Sequence, residues 1–373
     1  MIKQGNNNTR HSYTDYSKEC LFRLLRIALG KEDCSSLIND VNWKELYEFA
    51  FHHGVGAIAC DGMLALRSCD IDEELRFMWM GQSMVIEQKY LQHKRVVYDL
   101  ASFYEREDIK MLLLKGYGLS LNYPVPEHRP SGDIDIFLFD RNTNLPVWDK
   151  GDDAIRKAYN IVVDDSHHHH TTFEFEGQSV ENHYDFINVY AHKSNERIEQ
   201  TLKSWVMTDY RFLDNSIVLP SDNFNAVFLL KHCAGHFAST GIKIRHLLDW
   251  LLFVENSRNF VDWEKVYEVY RREKIDRFAA ILNAIGVKML NFPKELFVEV
   301  EEDNVIVDRV LSDILCPEFK EKERGTLCSA LWVKPRRWWS NRWKHDICYS
   351  DSLFSSFFHS LYAKILKPSH FIR

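Results

Sequence analysis

A chain of 373 residues is longer than one small module needs, and 45% hydrophobic with 27% charged residues is the composition of a globular protein with a large core. Only 15 Gly and 9 Pro exclude a collagen-like or low-complexity chain. The net charge of −7 is unevenly spread: residues 331–373 hold eight Lys/Arg against two Asp, so a +6 tail follows a −13 body.

Spanning a bilayer takes about 18 consecutive apolar residues. The best stretches, 247–254 and 278–290, are broken by Asp249, Asn283 and Lys288. The first residues offer no apolar leader, so the expected compartment is the cytoplasm. The eight cysteines contain no Cys-x-x-Cys pair and read as small buried hydrophobes of a reducing compartment.

The first hundred residues read as helix. Apolar residues recur at helical spacing over 42–50, and 71–106 runs through Met78, Met80, Met84, Leu91, Val96, Val97, Leu100 and Phe103 without proline. This is one helix, or two broken at Gly81, with the stripe facing the core.

At Lys110 the period changes. Met111-Leu112-Leu113-Leu114 reads as a buried strand entering the turn Lys115-Gly116-Tyr117-Gly118 and a short helix to Tyr123. Pro124, Pro126 and Pro130 force an extended connection. Residues 132–138 follow as a second strand, with Asp133 and Asp135 on one face and Ile134, Ile136 and Leu138 on the other. Residues 148–160 fit a helix; 161–163, 171–176 and 179–186 fit strands, the last two joined by a hairpin at Gly177-Gln178.

After Ser194 the pattern is helical again, over 222–239, 242–254, 260–272 and 279–290. The expected fold is α+β: a small mixed-sheet core at 109–192 between a helical region at 1–108 and a second at 193–373 that ends in the basic, Trp-rich tail.

Two carboxylates on one strand face and a third on a neighbouring strand suit a pair of Mg²⁺ ions, with Mn²⁺ as the substitute. Such ions take hard oxygen ligands and share them with substrate phosphates. The backbone at Gly116 and Gly118 can approach a triphosphate closely, and Lys115 is placed to meet phosphate as a point charge. A lysine that merely ends a buried strand is the plainer alternative.

Leu114-Lys115-Gly116, then Tyr123-Pro124-x-Pro126-x-x-Arg129-x-x-Gly132-Asp133-Ile134-Asp135, resembles the uncharacterised nucleotidyltransferase family of the DNA polymerase β-like superfamily. Val180-Glu181-Asn182-His183 is similar to its acidic-x-His strand, residues 241–250 to its later helical segment, and Trp43 with His52-His53-Gly54-Val55 to its N-terminal part. The resemblance implies Asp133 and Asp135 as the metal pair and Glu181 as the third carboxylate, near the acceptor. It also implies Gly116 and Tyr117 in the nucleotide-cradling turn, and Arg129 as a guanidinium facing phosphate. The superfamily usually has Gly-Gly or Gly-Ser at this turn, and here Tyr117 follows Gly116.

The implied reaction transfers a nucleoside monophosphate from a nucleoside triphosphate to an acceptor, with release of pyrophosphate. The acceptor, whether small molecule, sugar or macromolecule, is not readable; nucleic acid is a poor fit to the acidic body. The rival readings are an inactive nucleotide-binding or protein-docking module of the same fold and, last, a glycosyltransferase using Asp-x-Asp.

Four further features have plain readings. His183 shares a face with Glu181 and is either a hydrogen-bond partner behind the carboxylates or a structural histidine. The run 167–170 is four histidines; in an extended chain only two converge on one ion, and no Cys or carboxylate adjoins on that face, so it is not expected to bind metal, although one of the four could reach the mouth of the active site. Arg245 and Asp249 stand four apart on a helix and are expected to pair. In the tail, Trp and Phe are expected to bury while Arg and Lys reach outward.

Overall fold

The computed structural model describes residues 13–34, 40–167, 169–190, 192–214, 216–317, 340–352 and 354–356. Cys328, His168 and the tail segments 331–339 and 357–373 lie outside them.

The chain is α+β. Four helices come first: α1 (Asp15–Ala28), α2 (Trp43–His52), α3 (Gly56–Ala65) and α4 (Glu73–Arg106). Thr14, Asn42 and Asp72 cap α1, α2 and α4, each side-chain oxygen accepting from a backbone N–H three residues on. The 71–106 pattern forms one helix; Gly81 does not interrupt it.

The sheet follows. Strands β1 (Ile109–Leu113), β2 (Ile134–Asp140), β3 (His170–Phe175), β4 (Gln178–His183), β5 (Tyr210–Phe212) and β6 (Ile217–Pro220) are ordered β3-β4-β2-β1-β6-β5. β1 runs antiparallel to β2 and parallel to β6; β4 runs parallel to β2, with Asp135 opposite Glu181. The short helices α5 (Gly116–Ser120) and Pro126–His128 separate β1 from β2, and α6 (Trp148–Tyr159) follows β2.

Both faces of β2 are covered. Ile134, Ile136 and Leu138 pack with Val97, Leu100 and Tyr104 of α4 and Ile155 of α6. Phe137 and Phe139 turn the other way, into the larger core built with α7 (Lys193–Val206), α8 (Asp222–Ser239), α9 (Ile244–Ser257), α10 (Trp263–Glu273), α11 (Asp276–Leu290) and α12 (Asn304–Leu315). Asp135 lies on this second face, with the phenylalanines.

Several expectations need correction. β5 and β6 fall where helix was expected, so the sheet draws two strands from beyond residue 192. Ile161-Val162-Val163 is not a strand: α6 ends at Asn160 in a left-handed conformation, and only Asp164 bridges to Thr172. Ile161 and Val163 are half-buried against the core, and Val162 between them is 87% exposed. The α4 stripe is only half core: Val96, Val97, Leu100 and Phe103 are buried, whereas Met78, Met84 and Leu91 are exposed. Of the seven described cysteines, all free, Cys20, Cys60, Cys233 and Cys348 are buried, but Cys316 is exposed. Among the described residues no helix is long and apolar enough to cross a membrane.

Candidate active site

A cavity of about 420 Å³ opens on the Asp135 face of the sheet. Its floor comes from the end of β1 (Lys115, Gly116), the start of β2 (Gly132, Asp133, Asp135) and the end of β4 (Glu181, His183). Its far wall comes from α8 (His232, His236) and α9 (Arg245, His246, Trp250). The β2–β4 register does the positioning: parallel pairing sets Asp135 and Glu181 side by side, and the period of two brings His183 to the same face.

Asp135 is 7% exposed and held from two sides. Lys115 Nζ stands 2.7 Å from its Oδ1, and His183 Nε2 stands 3.1 Å from the same oxygen. Burial alone would raise this carboxyl, but the Lys115 ammonium and the His183 hydrogen bond outweigh it and hold it well below the usual carboxylate range. Asp133, at the exposed mouth, goes the other way: desolvation, with Glu181 and Asp135 close by, raises it.

His183, 2% exposed, faces only acceptors. Its Nδ1 meets the Asp185 carbonyl oxygen at 3.1 Å, and its Nε2 meets Asp135 Oδ1 and, at 3.4 Å, Glu181 Oε2. A neutral ring would set one lone pair against oxygen, so these contacts favour the protonated ring. Burial opposes the charge, and the hydrogen bonds to Asp135 and Glu181 raise the ring above its ordinary value.

Lys115 reaches the site from a strained backbone. Its φ of 27° with ψ of −144° is a conformation L-residues rarely adopt, and it turns β1 sharply into Gly116, itself at φ 47°. Lys115 Nζ also donates to His232 Nε2 at 3.2 Å. Burial holds the wall histidines neutral, His232 well below its ordinary value and His246 at about 3.

Asp133, Asp135, Glu181, His183, Lys115 and Gly116 all come together at this cavity. Tyr117 does not: its side chain turns to the opposite core, against Tyr90 and Tyr98. Arg129 lines the cavity, but its fork is closed on Asp249, Nε to Oδ1 at 2.7 Å and Nη2 to Oδ2 at 3.0 Å. The partner of Asp249 is therefore Arg129, with Tyr123 adding a hydrogen bond at 2.7 Å, and not the Arg245 expected from helical spacing. Arg245 instead donates through Nη1 to the Pro130 carbonyl at 3.2 Å, while its buried Nε has no hydrogen-bond partner among the described residues.

The α8 and α9 histidines were not anticipated as cavity residues, whereas of the run 167–170, from which one histidine was allowed to reach the mouth, both His169 and His170 line the cavity. Helical spacing marks His232, His236 and His246 only as polar interruptions of apolar faces, and nothing in the sequence says which faces meet.

The donor set can hold a divalent cation. Ligand atoms of Asp135, Glu181 and His183 all lie within 4.8 Å of one another, and the Lys115 ammonium already stands as a cation against Asp135. The chain belongs to the family described as uncharacterised nucleotidyltransferase, whose model matches residues 39–291. Among curated proteins and among solved structures, nothing matches.

Proposed function

We propose that this protein binds a nucleoside triphosphate with Mg²⁺ and transfers the nucleotidyl group to an acceptor hydroxyl or phosphate, releasing pyrophosphate. The observation that carries the reading is the Asp135–Glu181 register pair on the cavity floor, with Asp133 at the mouth, in a chain of a nucleotidyltransferase family. Asp133, Asp135 and Glu181 would hold the metal. Mg²⁺, or Mn²⁺ in its place, supplies charge neutralisation on the phosphates and on the attacking and leaving oxygens.

The chain's own groups have separate tasks. Lys115 and Arg245 carry the positive charge for the phosphates; Arg129 serves instead to anchor α9 through Asp249. Gly116 lets the backbone turn under them without a side chain in the way. His183 fixes the orientation of Asp135, and Glu181 stands where an acceptor proton would be taken. The wall of neutral histidines with Trp250 forms the acceptor side, polar enough for a hydroxyl-bearing group without charge of its own.

Asp135→Asn removes one metal ligand while keeping shape. It is expected to abolish incorporation of label from an α-labelled triphosphate and to leave the circular dichroism spectrum unchanged; a fully active variant overturns the assignment. One observation favours the second reading, a nucleotide-binding module without turnover: Lys115 and His183 already satisfy the Asp135 carboxylate. Thermal-shift measurements with each triphosphate separate the two. Stabilisation that requires Mg²⁺ belongs to a competent site; stabilisation indifferent to Mg²⁺ belongs to the module.

A further inference from the structure

Two histidines of the run, His169 and His170, line the cavity together. His169 precedes β3 and lies outside the strand, so the two do not alternate faces as strand neighbours would. His170, the first residue of β3, lies directly opposite His183 of β4. The third imidazole and the carboxylate that the run lacks are thus supplied by the neighbouring strand.

The three rings surround a common point. Their centroids are 4.3 Å (His169–His170), 5.1 Å (His170–His183) and 5.6 Å (His169–His183) apart. Imidazoles sharing one ion at a metal–nitrogen distance of about 2.0–2.1 Å place their centroids roughly 4.5–5.2 Å apart, so the rings need small rotations only. One nitrogen from each lies within 4.8 Å of the others. Glu181 stands across them, 3.8 Å from His170 Nε2 and 3.4 Å from His183 Nε2.

The nitrogens are also short of partners. His170 is 6% exposed, yet neither of its ring nitrogens has a hydrogen-bond partner among the described residues, nor has the buried Nδ1 of His169. A buried polar atom left unmatched is costly, and a bound ligand is one reason to keep one. In His183 the Asp185 carbonyl holds Nδ1–H, which directs Nε2 toward any ion, as carbonyl-bonded imidazoles do at metal centres.

We propose that His169, His170 and His183, closed by Glu181, form a binding site for a divalent transition-metal ion of the zinc class. Three imidazoles select Zn²⁺ or Co²⁺, not Mg²⁺, which takes oxygen ligands. Binding draws His183 Nε2 off Asp135 and releases the Nε2 proton to solvent, so the ion couples to the carboxylate floor. The proposal does not rest on nucleotidyl transfer: a protein that never turned over a triphosphate would bind the ion equally well.

The test is a Co²⁺ titration of the chelator-treated, full-length protein, read by its visible ligand-field absorption and by displacement with Zn²⁺. The expected result is one Co²⁺ per chain with imidazole-type bands, undiminished by excess Mg²⁺. His170→Ala and His170→Gln are expected to weaken binding at least about tenfold while keeping the metal-free melting temperature; Asp133→Asn and His167→Ala keep it. No Co²⁺ uptake by the wild type overturns the proposal. So does binding that survives both His170 variants, binding lost in Asp133→Asn, which puts the ion on the carboxylates alone, or binding lost equally in His167→Ala, which makes the run a surface chelator. Triphosphate thermal shifts on the same samples report separately on the nucleotide reading.

Discussion

His183 and Arg129 show what a residue read singly leaves out. Spacing puts His183 on the face of Glu181 but says nothing of Asp185, whose carbonyl meets Nδ1 and so fixes the ring's orientation. Arg129 belongs to a recognisable motif, and the motif suggests phosphate; its partner Asp249 lies 120 residues further on, beyond any local signal. Both members of that pair are buried, so Arg129→Ala leaves the Asp249 carboxylate uncompensated and is expected to cost about 3–5 kcal/mol. Arg129→Lys, with a point charge in place of a fork, recovers only part of it. Urea denaturation checks this: an Arg129→Ala protein of wild-type stability that has lost triphosphate binding would return Arg129 to the phosphate role.

At the scale of elements, long periodic helices and the strands flanking Lys115 and Asp135 are legible because their apolar runs are unbroken. Strand β6 carried a signal too, since Ile217-Val218-Leu219 is a short apolar run ending at Pro220, but a three-residue partner such as β5 has no period to read. The α4 stripe shows the converse error. Periodicity identifies an apolar face, not whether a neighbour covers it, and a helix of 34 residues, about 51 Å long, outruns the sheet it packs on. Close approaches are equally silent: a Cβ on Gly62 of α3 would lie 2.0 Å from the Leu24 carbonyl oxygen of α1. That contact is backbone and cannot yield by a rotamer change. Gly62→Ala is expected to force α1 and α3 apart and lower stability by about 1–3 kcal/mol, seen as a reduced melting temperature. An unchanged melting temperature would mean that the two helices are not so tightly seated.

For the molecule as a whole, the segment 340–352 ties the chain's far end to its centre by buried charge, contrary to the expectation of outward lysines. Lys344 Nζ meets Asp313 Oδ2 at 2.6 Å, each side chain 3% exposed. Lys231 of α8 points the same way: its Nζ lies 3.8 Å from the Tyr349 ring centroid and 3.4 Å from the Cys348 carbonyl oxygen. No carboxylate lies within ion-pair distance of Lys231 among the described residues, and burial lowers its ammonium from 10.5 to about 8, against smaller raising effects of Cys348, Asp351 and Glu273. The sign follows from which state holds the proton. Below pH 8 folded and unfolded chains both carry it, and the fold bears the full cost of a buried charge. Between pH 8 and 10.5 the folded chain has released the proton while the unfolded chain retains it, so this group's contribution to stability rises with pH, by on the order of 3 kcal/mol across the window. Lys231→Met keeps the stem's packing and removes the charge. It is therefore expected to be more stable than wild type at pH 7, with the difference shrinking as pH approaches 10. Paired urea titrations of both proteins at pH 7, 8.5 and 9.5 cancel the tyrosines and cysteines that titrate in the same range. A variant less stable than wild type at pH 7 would show that Lys231 holds the C-terminal segment by its charge, and that the cation over Tyr349 outweighs its own desolvation.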